Sequence, residues 1–295
     1  SVFNQPLNNW NVGNVTDMQF MFSQSIYNLP LNNWNVGNVT DMGGMFAGAN
    51  SFNIWNVSDV QDYENFDTNT PSWVLPKPPF GFTFSTKSEL QTAVDLWVSN
   101  EPQAIIEYGE INDWNVGRIT DMSNLFFRKN SFDSNISNWD VSNVTSMERM
   151  FVGASAFNQP IGNWNVSSVT DMRGMFGGSA FNQPIGNWNV SSVTNMDNMF
   201  GSAFNQPLNN WDVSSVNSMR QMFNNAYVFN QPIGNWNVSN VTDMYNMFYN
   251  ATSFNQPIGN WDVSNVTDMG RMFSEATSFS QSLENWDVSN VNSMF

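Results

Sequence analysis

The sequence predicts a right-handed α/β solenoid of short parallel strands and short helices, with about 25 residues to a repeat. Three observations carry that expectation. Tryptophan recurs at 10, 34 and 55, and again at 114, 139, 164, 188, 211, 236, 261 and 286. Valine stands two residues after every one of these, from Val12 through Val141 and Val190 to Val288. Finally, Thr or Asn follows four residues after that valine and introduces a Met-x-x-Met-Phe run, as in Thr267, Met269, Met272 and Phe273.

Each element has a local reason. Trp and Val two apart with a polar residue between them have the period of a strand with one buried face. The next element opens at Thr16, Thr40, Thr120, Thr145, Thr170, Thr194, Asn217, Thr242, Thr267 or Asn292, residues suited to capping a helix. Met and Met-Phe at i, i+3 and i+4 make one apolar helical stripe, and Asp17, Asp41, Asp121, Asp171, Asp243 and Asp268 fall in the first turn, where the macrodipole favours an acid. Eight buried side chains per unit give roughly 12 to 24 kcal/mol. Ordering about 25 residues of backbone costs roughly 25 to 50 kcal/mol. A lone unit should not fold, and stacking is required.

The composition narrows the function classes. Hydrophobic residues make up 41% and aromatics 15%, too apolar for a disordered chain. Only 12% are charged and the formal charge is −16, which argues against nucleic acid and against anionic membranes. Cys and His are both absent, which removes disulfides, thiolate and imidazole ligands, and triads built on histidine. No apolar run approaches a membrane span, so direct insertion is not expected.

The period breaks between Trp55 and Trp114, and the break suggests two arrays. Residues 1–66 read as the C-terminal part of a first array, whose last unit has lost the QPIGN approach at Phe52 and whose helix has degenerated at Tyr63. Residues 67–79 are a proline-rich linker. Residues 80–110 read as a cap of one strand and an amphipathic helix, with a capping box at Thr86 and Glu89 and an apolar face of Leu90, Ala93, Val94 and Trp97. Residues 111–295 form a second array of about eight repeats, expected to continue beyond Phe295.

The pattern IxxWxVxxV resembles the leucine-rich-repeat consensus, with Val or Ile where that consensus usually carries Asn. More closely, FNQPIGNWNVSNVTDMYNMF at 229–248 resembles the repeat of BspA-like leucine-rich-repeat surface proteins. FSTKSELQTAVDLWVSN followed by YGEINDW is similar to the segment that opens such arrays. The resemblance implies a leucine-rich-repeat-like solenoid, secreted or displayed on a cell surface and used for adhesion, protein binding or building an external layer. It supplies no catalytic residues, and no enzyme is expected.

Candidate sites follow from the columns. Asn-x-Ser/Thr sequons recur, and Asn14, Asn38, Asn143, Asn240 and Asn265, at turn positions, are the candidate N-glycosylation sites. Further sequons start at Asn56, Asn165, Asn189 and Asn237, directly after Trp, and at Asn135 and Asn250. Asp140, Asp212, Asp262 and Asp287, together with the VTD acids, could coordinate Ca²⁺, although first-turn acids and solvated side chains account for them more simply. No other cofactor is expected. The Thr column invites comparison with ice-binding surfaces, but Thr at helix starts would not form the flat rows such surfaces need. The expected partners are other copies of the chain, including a homo-polymer, or proteins of an extracellular matrix or surface. The rival readings are an intracellular scaffold and a carbohydrate-binding solenoid.

Overall fold

The computed structural model describes residues 4–7, 9–27, 31, 34, 36, 38–47 and 82–294. The unit expected to end at Phe52 to Tyr63 and the linker at 67–79 lie outside the described residues, as do Trp55 and Asn56. Two compact units are present: Ser1–Phe82 with Glu101–Trp114, and Thr83–Asn100 with Asn115–Phe295.

The expected α/β solenoid of strands and helices does not form. Among the described residues there is no sheet, and parallel pairing is confined to isolated single-residue bridges. The helices among the described residues are α1 (Lys87–Ser99), α2 (Glu101–Tyr108) and a 3-10 turn at Ile111–Asp113. No Met-x-x-Met-Phe segment is helical.

The backbone hydrogen bonds explain why the expected strand is missing. Trp139 N–H donates to Ile136 C=O at 3.2 Å, and Val144 N–H donates to Val141 C=O at 2.9 Å. The IxxW and VxxV patterns are therefore two successive turns closed by i→i+3 bonds, and the apolar spacing of three is a turn period. Apart from the Thr83–Asn115 bridge, the bridges among the described residues of the second unit fall on the residue after the Thr position and run from Asp121–Ser146 through Asp171–Asn195 to Asp268–Ser293.

The Met-x-x-Met-Phe segment is likewise a pair of turns. Leu125 N–H bonds to Met122 C=O and Lys129 N–H to Phe126 C=O, where a helix would need i→i−4 bonds. The third residue of each turn has positive φ, as at Asn124 (60°) and Arg128 (56°), Gln221 (58°) and Asn225 (58°), or Gly174 (66°) and Gly178 (68°). That left-handed residue stops a helix and turns alternate N–H groups toward the next coil. Met122, Asn124, Phe126 and Arg128 donate to the carbonyls of Ser146, Glu148, Met150 and Val152 at 2.7–2.9 Å. In the opposite sense, Thr145 N–H donates to Thr120 C=O at 2.7 Å. These inter-coil bonds satisfy groups that would otherwise be buried without partners. They outweigh a left-handed penalty of roughly 1–2 kcal/mol at each non-glycine position.

Threonine therefore does not cap a helix here. Its hydroxyl reaches the coil before it: Thr170 Oγ1 bonds to Thr145 C=O at 3.2 Å and Thr267 Oγ1 to Thr242 C=O at 3.1 Å.

Inside the second unit the apolar columns are buried from the 116 coil through the 261 coil, with Val141, Val166, Val190, Val213, Val238 and Val263 all in the core, while in the last coil Val288 and Met294 are exposed. Phe126, Phe151, Phe176, Phe200, Phe223, Phe248 and Phe273 form one ladder with ring centroids 5.1–6.3 Å apart. Phe132, Phe157, Phe181, Phe204, Phe229, Phe254 and Phe279 form a second, at 5.8–6.3 Å. Within each coil the two ladders touch at 4.0–4.3 Å. Phe157 follows Phe151 by six positions, but Phe204 follows Phe200 by only four, and the ring contact is 4.0 Å in both.

Glycine in the IGN turn marks a close approach between coils. A Cβ on Gly162 would lie 2.5 Å from the Pro184 carbonyl oxygen, and one on Gly259 would lie 2.6 Å from that of Ser282.

The α1 helix covers the first coil of this unit. The Thr86 hydroxyl accepts from Glu89 N–H while Glu89 accepts from Thr86 N–H, completing the capping box. Leu90, Ala93, Val94 and Trp97 are buried. Trp97 Nε1 donates to Ser134 Oγ at 2.9 Å, and Lys87 pairs with Asp121 at 2.9 Å.

The first unit shows the same coil. Met18, Phe20, Phe22 and Gln24 donate to Asp41, Gly43, Met45 and Ala47. Trp10 stacks on Trp34 at 6.4 Å and Phe22 on Phe46 at 5.2 Å. After α2, around the 3-10 turn, Trp114 Nε1 donates to Gly109 C=O at 3.1 Å.

Candidate functional site

What the second unit offers to a partner is its outer surface. On the stretch from Trp to the Thr position, three positions are exposed in each coil from 139 to 267: the residue after Trp, the fourth after it and the sixth after it. In one coil these are Asp140, Asn143 and Thr145, and in another Asp262, Asn265 and Thr267. Val144 and Val266, between the last two positions, point into the core, so exposure alternates locally.

The first row is shaped by Asx turns. Asp140 Oδ1 accepts from Ser142 N–H at 3.0 Å, and Asn165 Oδ1 accepts from both Ser167 N–H and Ser167 Oγ. Hydrogen bonds from the Ser142 hydroxyl and amide hold the Asp140 carboxyl below its ordinary range, against a smaller opposing effect of burial. Asp212 with Ser214 and Asp262 with Ser264 shift in the same direction for the same reason.

The second and third rows are tied to the coil before them. Asn143 Nδ2 donates to Gly117 C=O, Asn240 Nδ2 to Ser214 C=O and Asn265 Nδ2 to Ser239 C=O, at 2.7–2.8 Å. Asn38 in the first unit does the same to Gly13 C=O. Of the sequon asparagines read as turn positions, all five are exposed and all but Asn14 spend their amide nitrogen this way. Asn135 Oδ1 accepts from Ser137 N–H, and Asn250 Nδ2 donates to Asn225 Oδ1.

The tryptophan column does not form an aromatic platform across these coils. Trp139, Trp164, Trp188, Trp211, Trp236 and Trp261 are buried. From Trp164 onward the indole nitrogens reach back one coil, as Trp188 Nε1 does to Ile161 C=O at 3.2 Å and Trp261 Nε1 to Ile233 C=O at 3.2 Å. Exposed aromatic surface lies elsewhere, at Trp10 (54%) and Phe20 (63%) in the first unit and at Tyr227 in the second.

The arginines stand on the turn face. Arg173 pairs with Glu148 at 2.6 Å, Arg220 pairs with Asp243 at 3.5 Å and lies over the Tyr245 ring, and Arg149 lies over Phe127. A groove of about 650 Å³ lies along the 269–294 coil, lined by Met269, Met272, Phe273, Leu283, Trp286, Val288 and Met294 with Arg271 and Ser274. Its lining carries no carboxylate to serve as an acid or base. Among the described residues no three Asp or Glu side chains converge on a point where a metal ion could sit. Asp140 and Asp212 are separated by coils that carry Asn165 and Asn189 in the same row.

The residues that sequence reasoning missed are the left-handed ones. Gly44, Asn124, Gly174, Asn198 and Asn246 occupy the third place of the Met turn, and Gly153, Gly178, Asn225 and Asn250 that of the Phe turn. The recurrence of Gly and Asn at these places was the available signal.

These features define a repeat protein whose units stack through backbone, hydroxyl and aromatic ladders. The chain belongs to the family described as Mycoplasma protein of unknown function, DUF285, whose model matches residues 1–73, 98–209 and 201–295. No curated protein and no solved structure matches it.

Proposed function

We propose that the chain is an extracellular structural or adhesive repeat protein that contacts other copies of itself, or proteins of a matrix or surface, through its exposed rows. The observation that carries this reading is the repetition of the same three exposed positions on successive coils, with two of the three rows fixed by hydrogen bonds to the preceding coil. Side chains held this way lose little further freedom when a partner docks, and their repetition turns weak contacts into avidity. The resemblance of residues 229–248 to BspA-like surface proteins supports the extracellular setting.

Graded disruption tests the proposal. Thr145→Glu, Thr194→Glu and Thr242→Glu are combined one, two and three at a time, and binding of the soluble chain to immobilised copies and to extracellular matrix is measured. Stepwise weakening with each altered rung is expected. Complete loss on a single substitution would point to one discrete site, and unaltered binding with all three would remove the Thr row from the interface.

A further inference from the structure

The sequons fall into two columns that the fold treats differently, and we infer that the column directly after tryptophan, at Asn165, Asn189 and Asn237, is a set of N-linked sugar attachment sites on the folded chain. This goes beyond the adhesive reading and does not depend on it. All three residues are exposed. In each, Oδ1 accepts both the amide and the hydroxyl of the serine two residues on, at 3.2 Å and 2.8 Å. The backbone donor fixes which end of the carboxamide is oxygen. Nδ2 is left with no hydrogen-bond partner among the described residues. The hydroxyl that completes the sequon is already held against the asparagine, so the tripeptide is closed into an Asx turn before any enzyme meets it.

The other column is engaged. Asn143, Asn240 and Asn265 each commit Nδ2 to a carbonyl of the preceding coil at 2.7–2.8 Å. Attaching a sugar there requires a nitrogen that is already part of the stacking ladder. The chemistry at the free column is a simple substitution with a sugar diphosphate, carried by a nucleoside or a lipid, as donor. The Nδ2–C1 bond forms, the C1–O bond to the diphosphate breaks and the diphosphate leaves with the electron pair. The enzyme's base takes one Nδ2 proton. No oxidant or reductant is involved. A sugar on these coils projects from the row that also carries Asp140, Asp212 and Asp262, on the outside of the stack.

The test uses the folded chain, a soluble N-glycosyltransferase that recognises Asn-x-Ser/Thr and its nucleotide-sugar donor. Glycopeptides are quantified by mass spectrometry over time, and the same reaction is run on the chain unfolded in urea at a concentration the enzyme tolerates, or on its peptides. The rate at each sequon is divided by its rate in the unfolded state. A ratio at Asn165, Asn189 and Asn237 at least ten-fold above that at Asn143, Asn240 and Asn265 is expected. Equal ratios in the two columns would overturn the inference, as would faster modification of the Asn143 column or no transfer to Asn165, Asn189 and Asn237 in the folded chain. Loss of adhesion in the threonine series leaves this result untouched, so the two readings fail separately.

Discussion

Replacing Phe223 by alanine removes a ring at the crossing of both aromatic ladders. Its centroid lies 5.3 Å from Phe200, 5.5 Å from Phe248 and 4.0 Å from Phe229, and the side chain is fully buried. Truncating a buried phenylalanine costs about 3–5 kcal/mol, and aromatic contacts add to that beyond the area they cover. Neighbouring coils above and below both lose a partner and neither can close the gap without leaving register, so a loss of about 5 kcal/mol is expected. Phe273 provides the internal control. It is only half-buried and contacts Phe248 at 5.8 Å and Phe279 at 4.3 Å, so Phe273→Ala should cost about half as much. The assay is urea unfolding followed by tryptophan fluorescence and circular dichroism, with both variants measured beside the parent chain. Equal losses for the two variants, or a loss below about 1.5 kcal/mol for Phe223→Ala, would refute a stack held by nearest-neighbour coil contacts.

Three further outcomes are expected. Gln221→Gly relieves a left-handed residue at φ 58° and should stabilise by about 0.5–1 kcal/mol once glycine's extra unfolded-state freedom is subtracted, whereas Gly174→Ala, at φ 66° and with its Cβ 3.1 Å from Arg149 Cγ, should destabilise by about 1–2 kcal/mol; thermal unfolding of both variants checks the pair of signs. Gly162→Ala would push a methyl against the Pro184 carbonyl and should cost about 1–3 kcal/mol in urea unfolding, with hydrogen exchange faster in the coils on both sides. Asp262 should titrate below an ordinary aspartate in a carbon-detected NMR titration, and Ser264→Ala should move it back up; because its folded pKa is depressed, any stability it contributes is present above the unfolded aspartate pKa and lost as pH falls through the folded one.

The periodicity, the buried columns and the capping box at Thr86 and Glu89 were legible because burial and capping leave marks in residue type. The backbone path was not. Trp-x-Val at 139–141 has the spacing of a strand and Met147, Met150 and Phe151 that of a helix, but spacing alone does not say where each N–H goes. Here alternate N–H groups of one coil meet carbonyls of the next, a long-range arrangement that overrides the local helix signal. Arg149, Gln221 and Arg271 disguised it, being ordinary helix formers forced to φ 54°, 58° and 53°. Gly174 and Asn246, in the same place on other coils, show the position's real demand. In the candidate surface, the sequons were visible as a motif, but the difference between Asn143 and Asn165 depends on a carbonyl supplied from the previous coil.

The spacing between the two phenylalanines of a coil varies from six residues at Phe151 and Phe157 to five at Phe176 and Phe181 and four at Phe200 and Phe204, while the rings keep the same 4.0 Å contact. In the coils of the second unit length changes are confined to that one corner, and the rest of the circuit keeps step. A gene of this kind can gain or drop whole rungs by unequal crossing-over, and misaligned joins of a residue or two at that corner leave every other column in phase.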